Sequence, residues 1–167
     1  FILEQGSSIE KIDRAIKEFG MPMGPFTLAD TVGVDIGYKV ASILNESYGN
    51  RMPIASIIKK MYEAKLLGLK TKAGFYEYSG NDIYPNTHVT SMLENNNRII
   101  EEDDIVKRCL YIMINEASRC LEENIVTDAS IIDFAMISGT GFPAYKGGLL
   151  SYANEIGLKN ILDSLRQ

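Results

Sequence analysis

The chain has 167 residues, of which 46% are hydrophobic and 23% are charged; this composition is ordinary for a globular protein and allows one medium domain or two small ones. Its net charge of −5 argues against a nucleic-acid binder, which normally presents a basic face. No apolar run approaches the ~20 residues of a membrane-spanning helix, and no signal-peptide pattern opens the chain. Cys109 and Cys120 lie in one predicted helix, too far apart for a disulfide, so we expect free thiols in a reducing compartment.

The chain begins with Phe1, and the run Phe1 to Gln5 is typical of the end of a helix already under way. We therefore expect that a segment upstream is missing. Ser7 and Glu10 form a capping-box pattern for a helix that Gly20 ends. The prolines and glycine from Met21 to Pro25 predict a turn, and Pro25 suits the first position of a short helix that continues from Phe26 to Val32.

The next segments are also helical. Asp35 is predicted to cap a helix, and Pro53 is predicted to start another that ends before Gly68. Apolar residues in the first of these helices recur at helical spacing: Val40, Ile43, Leu44 and Tyr48. Lys70 to Tyr78 breaks the pattern and indicates an extended, partly buried arm, and Gly80 to Thr87 indicates a polar connection.

The second half of the chain predicts the longest helix, from about Glu102 to Glu123, and then a helix capped by Asp128. A glycine-rich turn from Gly139 to Gly148 follows, and residues 149–156 and 159–165 supply the last helices. No segment has the pattern of a central strand. The predicted fold class is all-α.

The two ends of the chain resemble each other in sequence. Short motifs recur in the same order roughly 120 residues apart, which is too far for a solenoid repeat and fits duplication of one domain. The matched motifs are Leu3-Glu4 with Leu121-Glu122, Ile12-Asp13 with Ile132-Asp133, Gly20-Met21-Pro22 with Gly141-Phe142-Pro143, Leu28-Ala29-Asp30 with Tyr152-Ala153-Asn154, and Val32-Gly33-Val34 with Ile156-Gly157-Leu158. We expect two copies to pack as an intramolecular pseudo-dimer.

Specific motifs in this pattern resemble a known family. The runs Ser8 to Ala15, Phe19 to Phe26 and Asp30 to Asp35 closely resemble the C-terminal domain of 3-hydroxyacyl-CoA dehydrogenases, and Lys70 to Tyr78 looks like that domain's closing segment. Motifs of the second half are similar to the degenerate second copy found in multifunctional fatty-acid oxidation α-chains, which also carry an enoyl-CoA hydratase: Asn115-Glu116-Ala117, Cys120 to Glu123, Gly141-Phe142-Pro143 and Gly147-Gly148.

The resemblance implies a fold like the helical C-terminal domain of 6-phosphogluconate dehydrogenase. It also implies NAD-dependent oxidation of an L-3-hydroxyacyl-CoA by a parent chain in the bacterial cytoplasm or the mitochondrial matrix. In the family a histidine oriented by a glutamate removes the hydroxyl proton, and these residues and the NAD site belong to an N-terminal Rossmann domain. The family's helical domain adds an asparagine followed by arginine, which here would precede Phe1. The second copy has Lys107-Arg108 at that place. We therefore expect no catalytic residue, no cofactor site and no metal site in this chain, and no activity of the chain alone.

We expect the first domain at residues 1–80, a connector at 81–100 and the second, degenerate copy at 101–167. Four residues are candidates to contact the acyl chain of the substrate, because methionine and aromatic side chains adapt to apolar ligands: Met21, Met23, Phe26 and Tyr38. A role in the helical core competes with this interpretation. The expected partners are an acyl-CoA substrate, the chain's own Rossmann domain and a thiolase subunit, without nucleic acid.

Two further functions remain open from the sequence. One is a 3-hydroxybutyryl-CoA dehydrogenase domain, which an upstream sequence without a hydratase segment would favour. The other is a non-catalytic helical assembly module that kept the fold without the activity.

Other conspicuous residues favour structural roles. His88 lies in a polar run and is expected at the surface or at a helix start, and Gly139 to Gly141 lacks the strand that a dinucleotide fingerprint requires. Lys70 and Lys72 are expected to anchor the extended arm rather than to bind CoA phosphates. The acidic cluster from Glu101 to Asp104 suits a helix N-terminus, and no histidine accompanies it as a metal ligand.

Overall fold

The computed structural model describes residues 1–94 and 98–166. Residues 95–97, which fall in the predicted connector, and residue 167 lie outside the described part. The described part contains these helices: α1 Ile9–Phe19, α2 Pro25–Val32, α3 Val34–Tyr48, α4 Ser56–Glu63, α5 Thr87–Ser91, α6 Glu102–Glu122, α7 Ala129–Thr140, α8 Leu149–Ile156 and α9 Leu158–Leu165. One antiparallel hairpin joins strands β1 (Tyr76–Ser79) and β2 (Asp82–Pro85), with Tyr76 opposite Pro85. The predicted, mostly helical class is confirmed.

The chain forms two compact units. Unit 1 comprises Phe1–Arg14 and Met23–Ile100, and unit 2 comprises Ala15–Pro22 and Glu101–Gln167. The boundary therefore passes through helix α1 rather than through a linker. The predicted family-domain boundaries at residues 80 and 101 stay a prediction, because these units are defined by contacts alone.

Unit 1 buries a core of apolar side chains around the first turns of α1. The start of α3, helix α4, strand β1 and helix α5 each contribute to this core, whose fully or nearly fully buried members are Leu3, Ile9, Ile12, Val34, Ile57, Met61, Phe75 and Val89. Two lysines tie the segment after α5 to this unit: the Lys60 ammonium donates to the Met92 carbonyl, and the Lys11 ammonium donates to the Ile100 carbonyl. Met92 and Ile100 are thus each held to the unit by a lysine side chain.

Unit 2 has its own core, built from α6, α8, α9 and the turn before α8. The buried cluster consists of Leu110, Tyr111, Ile114, Ala117, Phe142, Leu149, Leu150, Ala153 and Ile161. Phe19, from the end of α1, lies edge-on to Phe142 at 5.7 Å and to Tyr152 at 5.3 Å, measured between ring centroids. The Lys146 ammonium lies over the Phe19 ring at 4.8 Å and over the Tyr152 ring at 4.9 Å, which adds cation–π attraction to this aromatic cluster.

Several predicted helix starts agree with the structure and three are wrong. Helices α2 and α8 have the expected bounds, and Asp128 caps α7 by accepting the Ser130 N–H at 2.8 Å. Ser8, rather than Ser7, accepts the Lys11 N–H at the start of α1. Asp35 lies in the first turn of α3 and not at its cap, because the chain turns directly from α2 into α3 at Gly33.

The third wrong start concerns α4, which begins at Ser56 and not at Pro53. Glu4 explains the shift, since its carboxylate accepts the Ser56 hydroxyl at 2.7 Å and the Ile57 N–H at 3.0 Å, satisfying donors of the first turn from a distant part of the chain. The predicted polar connection from Gly80 to Thr87 is also wrong, because most of it forms the turn and second strand of the hairpin.

The two cysteines are free thiols, as expected, and both are half-buried. Burial raises the pKa of the Cys109 thiol, which disfavours the reactive thiolate. Within the described residues, no helix is both long enough and apolar enough to cross a membrane.

Gly37 lies inside helix α3, yet a Cβ built there would meet no atom within 4 Å. We predict that Gly37→Ala raises the free energy of unfolding by about 0.5–1 kcal/mol, because alanine removes the entropic cost of a helical glycine. Urea denaturation followed by circular dichroism measures the change. Gly24→Ala is the control with the opposite sign, since its Cβ would overlap the Asp13 carboxylate. Equal effects of the two substitutions would contradict the packing described here.

Candidate functional site

A buried carboxylate in unit 1 fixes the turn that the sequence singled out. Asp13, on α1, is only 4% exposed. Its Oδ1 accepts the Phe26 N–H at 2.8 Å, and its Oδ2 accepts the Thr27 N–H at 3.0 Å and the Thr27 hydroxyl at 2.7 Å. These amides open helix α2 and have no partner within it, and a negative charge suits a helix N-terminus. Asp13 therefore caps α2 from another helix, and Gly24 at the cap position lets the carboxylate approach.

A second carboxylate, Asp30 at the end of α2, holds the extended arm and is 1% exposed. Its Oδ1 accepts the Phe75 N–H at 2.9 Å. Its Oδ2 accepts the Tyr76 N–H and the Tyr78 hydroxyl, both at 2.9 Å. A side chain at Gly74 would overlap the Asp30 carboxylate, so glycine there permits the close approach of the arm.

Tyr76 connects the two carboxylates. Its backbone N–H bonds to Asp30, and its hydroxyl donates to Asp13 Oδ2 at 3.0 Å. Burial, with the Asp13 carboxylate adding to it, raises the pKa of Tyr76, and burial with the hydrogen bond to Asp30 raises the pKa of Tyr78. Both phenols therefore stay protonated and act as donors. Burial also raises the pKa of Asp30, although the hydrogen bonds from Tyr76, Phe75 and Tyr78 act in the opposite direction.

The hydrogen bonds of Asp13 and Asp30 give these carboxylates a structural role rather than a catalytic one. Each oxygen of the two carboxylates accepts at least one bond from a protein donor, so neither carboxylate presents a free oxygen suited to proton transfer with a ligand. The network instead fixes the start of α2 and the arm that packs beside it.

The lysines at the start of the arm differ from each other. The Lys70 ammonium forms a close ion pair with the Asp35 carboxylate of α3, which lowers the pKa of Asp35. Lys72 is exposed and has φ +57°, a conformation that few side chains other than glycine and asparagine adopt. The structure thus accounts for Lys70 as an anchor through its side chain, whereas Lys72 contacts the arm through its backbone carbonyl, which accepts the Tyr78 N–H at 3.0 Å.

The four predicted substrate-contacting residues fall in different surroundings. Met21 packs against the core of unit 2, whereas Met23, Phe26 and Tyr38 belong to unit 1. Phe26 lies against Phe75 with ring centroids 4.3 Å apart, and Tyr38 stacks on Tyr62 at 4.7 Å. Each of the four is half-buried and keeps some accessible surface. Their contact with substrate stays a prediction.

Unit 2 contains the same carboxylate arrangement as unit 1. Asp133, on α7, accepts the Leu150 N–H at 2.6 Å, the Ser151 N–H at 3.1 Å and the Ser151 hydroxyl at 2.7 Å. These groups open helix α8, whose cap position is Gly148, and a side chain on Gly148 would overlap Asp133. The residue that matches Asp30 in the sequence repeat is Asn154, which is exposed.

The remaining candidates of the sequence occupy structural positions. Lys107 is exposed, with its ammonium 3.9 Å from the Asp104 carboxylate. His88 lies in the first turn of α5, where its backbone N–H donates to the Asn86 side chain. Glu102 and its acidic neighbours lie in the first turn of α6, as expected.

The glycines at the end of α7 do not fit a dinucleotide. Gly139 lies in the last turn of α7 and Gly141 follows this helix, whereas the fingerprint requires a strand before the glycine turn. Gly141 has φ +70°, and a Cβ there would lie 2.8 Å from the Pro22 Cγ, so its role is close packing. Across residues 1–94 and 98–166, no group of three or more potential metal-ligating side chains comes together.

The sequence analysis missed the roles of Asp13, Asp30 and Asp133. A signal for two of them was present, because Ile-Asp recurs in both halves ahead of a glycine that precedes a helix. Asp30 gave no such signal, since its donors come from an arm more than forty residues away.

Comparison with known families identifies one match. Residues 1–78 match the model of the C-terminal domain of 3-hydroxyacyl-CoA dehydrogenase. The match ends inside strand β1, so it includes both buried carboxylates of unit 1 and the whole arm from Lys70 to Tyr78.

Known relatives match nearly the whole chain. The fatty acid oxidation complex subunit alpha of Acinetobacter baumannii (strain SDF) is 35% identical over 168 residues, which cover 94% of this chain and 23% of the relative. The subunit of the same name from Vibrio cholerae serotype O1 (strain O395) is 36% identical over 169 residues, covering 99% of this chain and 24% of the relative. The chain thus spans about a quarter of the length of these relatives.

Two solved structures are similar. The dehydrogenase part of multifunctional enzyme 1 from Caenorhabditis elegans has a TM-score of 0.63 and 33% identity, and the match covers 86% of this chain and 33% of that one. The 3-hydroxybutyryl-CoA dehydrogenase from Escherichia coli K12 has a TM-score of 0.76 at 17% identity over 96% of this chain and 50% of that one, a likeness that concerns the fold alone.

We predict that Asp30→Asn lowers the free energy of unfolding by about 1–3 kcal/mol, because an amide nitrogen cannot accept the two donors that now meet one carboxylate oxygen. Urea denaturation at neutral pH measures the loss. Asp128→Asn is the control, since this exposed cap loses a single short-range bond that asparagine can replace. Unchanged stability of Asp30→Asn would contradict the role assigned to the network.

The difference in the free energy of unfolding between the wild type and Asp30→Asn should change with pH in one direction. Because the folded pKa of Asp30 is raised above 3.8, the folded state binds the proton more tightly, and the contribution of Asp30 to stability falls as pH rises through that folded pKa. The stability advantage of the wild type over Asp30→Asn should therefore grow as pH is lowered from 7 toward 4. An advantage that shrinks over this range would show that the folded pKa is lowered instead.

Proposed function

We propose that this chain is the C-terminal helical part of an NAD-dependent L-3-hydroxyacyl-CoA dehydrogenase of fatty-acid oxidation. The match of residues 1–78 to the model of the 3-hydroxyacyl-CoA dehydrogenase C-terminal domain supports this proposal. The observation that carries the proposal is the identity of 35–36% to fatty acid oxidation α subunits over nearly the whole chain, unit 2 included. The parent chain is proposed to carry an enoyl-CoA hydratase segment as well, and to associate with a thiolase subunit.

In this proposal NAD would be held by a Rossmann domain of the longer parent chain and would supply hydride acceptance there. The helical part contributes a fixed surface against which the substrate lies. Asp13 and Asp30 fix the start of α2 and the arm beside it, so that Met23, Phe26 and Tyr38 keep their positions when an acyl chain lies against them. Met21 is assigned the same role from its half-buried place in unit 2.

Duplication of one helical unit belongs to the same proposal. Three features in parallel positions support it: an aspartate in α1 and in α7 caps the following helix, a glycine precedes that helix, and a glycine with positive φ joins it to the next one. In unit 1 these are Asp13, Gly24 and Gly33, and in unit 2 they are Asp133, Gly148 and Gly157. Unit 2 keeps the cap without an arm, which fits an assembly role. The pairing of the copies about a pseudo-twofold axis stays a prediction.

A chimera tests the proposed function. In this chimera the matching segment of the Vibrio cholerae α subunit is replaced by this chain. We expect the chimera to form NADH from 3-hydroxyacyl-CoA at a rate within about tenfold of the parent rate. Deletion of the segment should lower the rate at least about 100-fold, because the substrate is no longer positioned. Hydratase activity of the same proteins serves as the control for folding of the remaining polypeptide.

Two results would refute the function. One is a deletion protein that keeps full dehydrogenase activity, and the other is a chimera with normal hydratase activity and no more dehydrogenase activity than the deletion. NADH formation by the 167-residue chain alone would separately contradict the assignment of catalysis to a domain outside these residues.

Substrate contact is tested within the active chimera. We predict that Met23→Ala raises the KM for a long-chain 3-hydroxyacyl-CoA by a factor about tenfold larger than the factor for 3-hydroxybutyryl-CoA. The reason is that only the longer acyl chain loses apolar burial. Met136→Ala, at a half-buried methionine of unit 2, is the matched control and should change both constants equally. Equal changes for Met23→Ala would remove Met23 from the acyl site.

A further inference from the structure

One lysine of unit 2 lies among three aromatic rings instead of beside a carboxylate. The Lys146 ammonium is 4.8 Å from the centroid of the Phe19 ring and 4.9 Å from that of the Tyr152 ring. The Tyr145 ring is the third, at 5.2 Å. Within residues 1–94 and 98–166 this ammonium forms no ion pair. Aromatic rings at these distances attract a cation, so the rings hold the charge of this lysine.

Phe19 brings this cation to the end of helix α1, of which it is the last residue. The helix dipole also favours a cation at the C-terminal end of a helix. The Phe19 carbonyl, which has no partner within the helix, accepts the Tyr145 hydroxyl at 3.2 Å. Lys146 and Tyr145 therefore hold the end of α1 from a turn that lies far along the chain.

The chain leaves α1 through a turn that packs against the same part of unit 2. Gly20 has φ +119°, and a Cβ there would lie 2.8 Å from the Pro143 Cγ. The Gly20 N–H donates to the Lys17 carbonyl at 2.9 Å. The Met21 N–H donates to the Ile16 carbonyl at 3.2 Å, which completes the pattern of a helix that ends at a glycine. These contacts fix the backbone of Met21, whose side chain packs against the core of unit 2.

We propose that Lys146 is a positioning residue for the substrate, because its positive charge holds Phe19 and thereby the turn that carries Met21. Met21 is one of the residues assigned to the acyl chain, so this inference rests on the proposed function. A side chain on a fixed backbone loses less conformational entropy when it binds the acyl chain. The turn of unit 2 that contains Lys146 thus affects the affinity for long substrates and not only the stability of the unit.

Three substitutions test whether the charge of Lys146 is required. Lys146→Met and Lys146→Gln remove the charge, whereas Lys146→Arg keeps a cation over the rings. In the chimera with the Vibrio cholerae α subunit, both neutral variants should raise the KM for a long-chain 3-hydroxyacyl-CoA about fivefold. The kcat and the KM for 3-hydroxybutyryl-CoA should each change less than about twofold, and Lys146→Arg should keep all constants within about twofold. Lys159→Met, at an exposed lysine of α9, is the matched control and should change none of them.

Amide hydrogen exchange of the 167-residue chain measures the turn without any catalysis. Both neutral variants should speed exchange at Gly20 and Met21 at least about threefold and leave Phe26 and Thr27 unchanged, because Asp13 still holds those two amides. Lys146→Arg should leave all four amides unchanged. Circular dichroism spectra like that of the wild type are expected for every variant, since Lys146 is only half-buried.

Two results would overturn the proposal. One is wild-type exchange at Gly20 and Met21 in the neutral variants, and the other is faster exchange without the selective rise in KM. An equal loss in Lys146→Arg would also overturn it, because packing rather than charge would then hold Phe19. A wild-type chimera without dehydrogenase activity would refute the proposed function and with it the substrate role, whereas exchange rates as expected would still support the hold of Lys146 on the turn.

Discussion

A carboxylate buried in one helix and bonded to the first amides of a following helix is the interaction on which both units depend. Asp13 and Asp133 each satisfy donors that a helix start leaves free, and each is reached because the cap residue is a glycine. Such a cap is stronger than a local serine cap, since it is charged and removed from water, and it also fixes the angle between two helices. The apolar cores then pack around an arrangement whose geometry is already set.

In unit 1 a second buried carboxylate extends this hydrogen-bonded network. Asp30 binds the arm from Phe75 to Tyr78, and Tyr76 bonds to both carboxylates, so helices α1 and α2 and the arm form one hydrogen-bonded network. Burying Asp30 costs desolvation, which its raised pKa records, and the donors around it offset that cost. The described residues of unit 2 include no comparable arm, and the matching residue Asn154 is exposed to solvent. The proposed substrate residues lie in the unit with the more tightly fixed turn, apart from Met21.

The sequence predicted the elements whose determinants are local. Pro25 after Gly24 defined the start of α2, Asp128 capped α7, and the glycine-rich turn that ends at Gly148 placed the start of α8 correctly. An error arose where a distant residue decides, because Glu4 moves the start of α4 to Ser56. The bonds between Asp30 and the extended arm were not predicted for the same reason, since they join residues far apart in the chain. The hairpin of Tyr76–Ser79 and Asp82–Pro85 was missed because polar residues there pair through the backbone. The periodicity of α3 was recognised, but periodicity alone does not tell whether a helix face is buried, and Val40 and Ile43 are more than half exposed.

The central claim is that each unit is organised by its own buried aspartate cap, and amide hydrogen exchange tests it most directly. In the wild type, the amides of Phe26 and Thr27 and those of Leu150 and Ser151 should all be protected. Asp13→Asn should speed exchange at 26 and 27 and along α2 while leaving 150 and 151 unchanged, and Asp133→Asn should do the reverse. Unchanged protection at 26 and 27 in Asp13→Asn, or equal loss at both helix starts in either variant, would contradict the account.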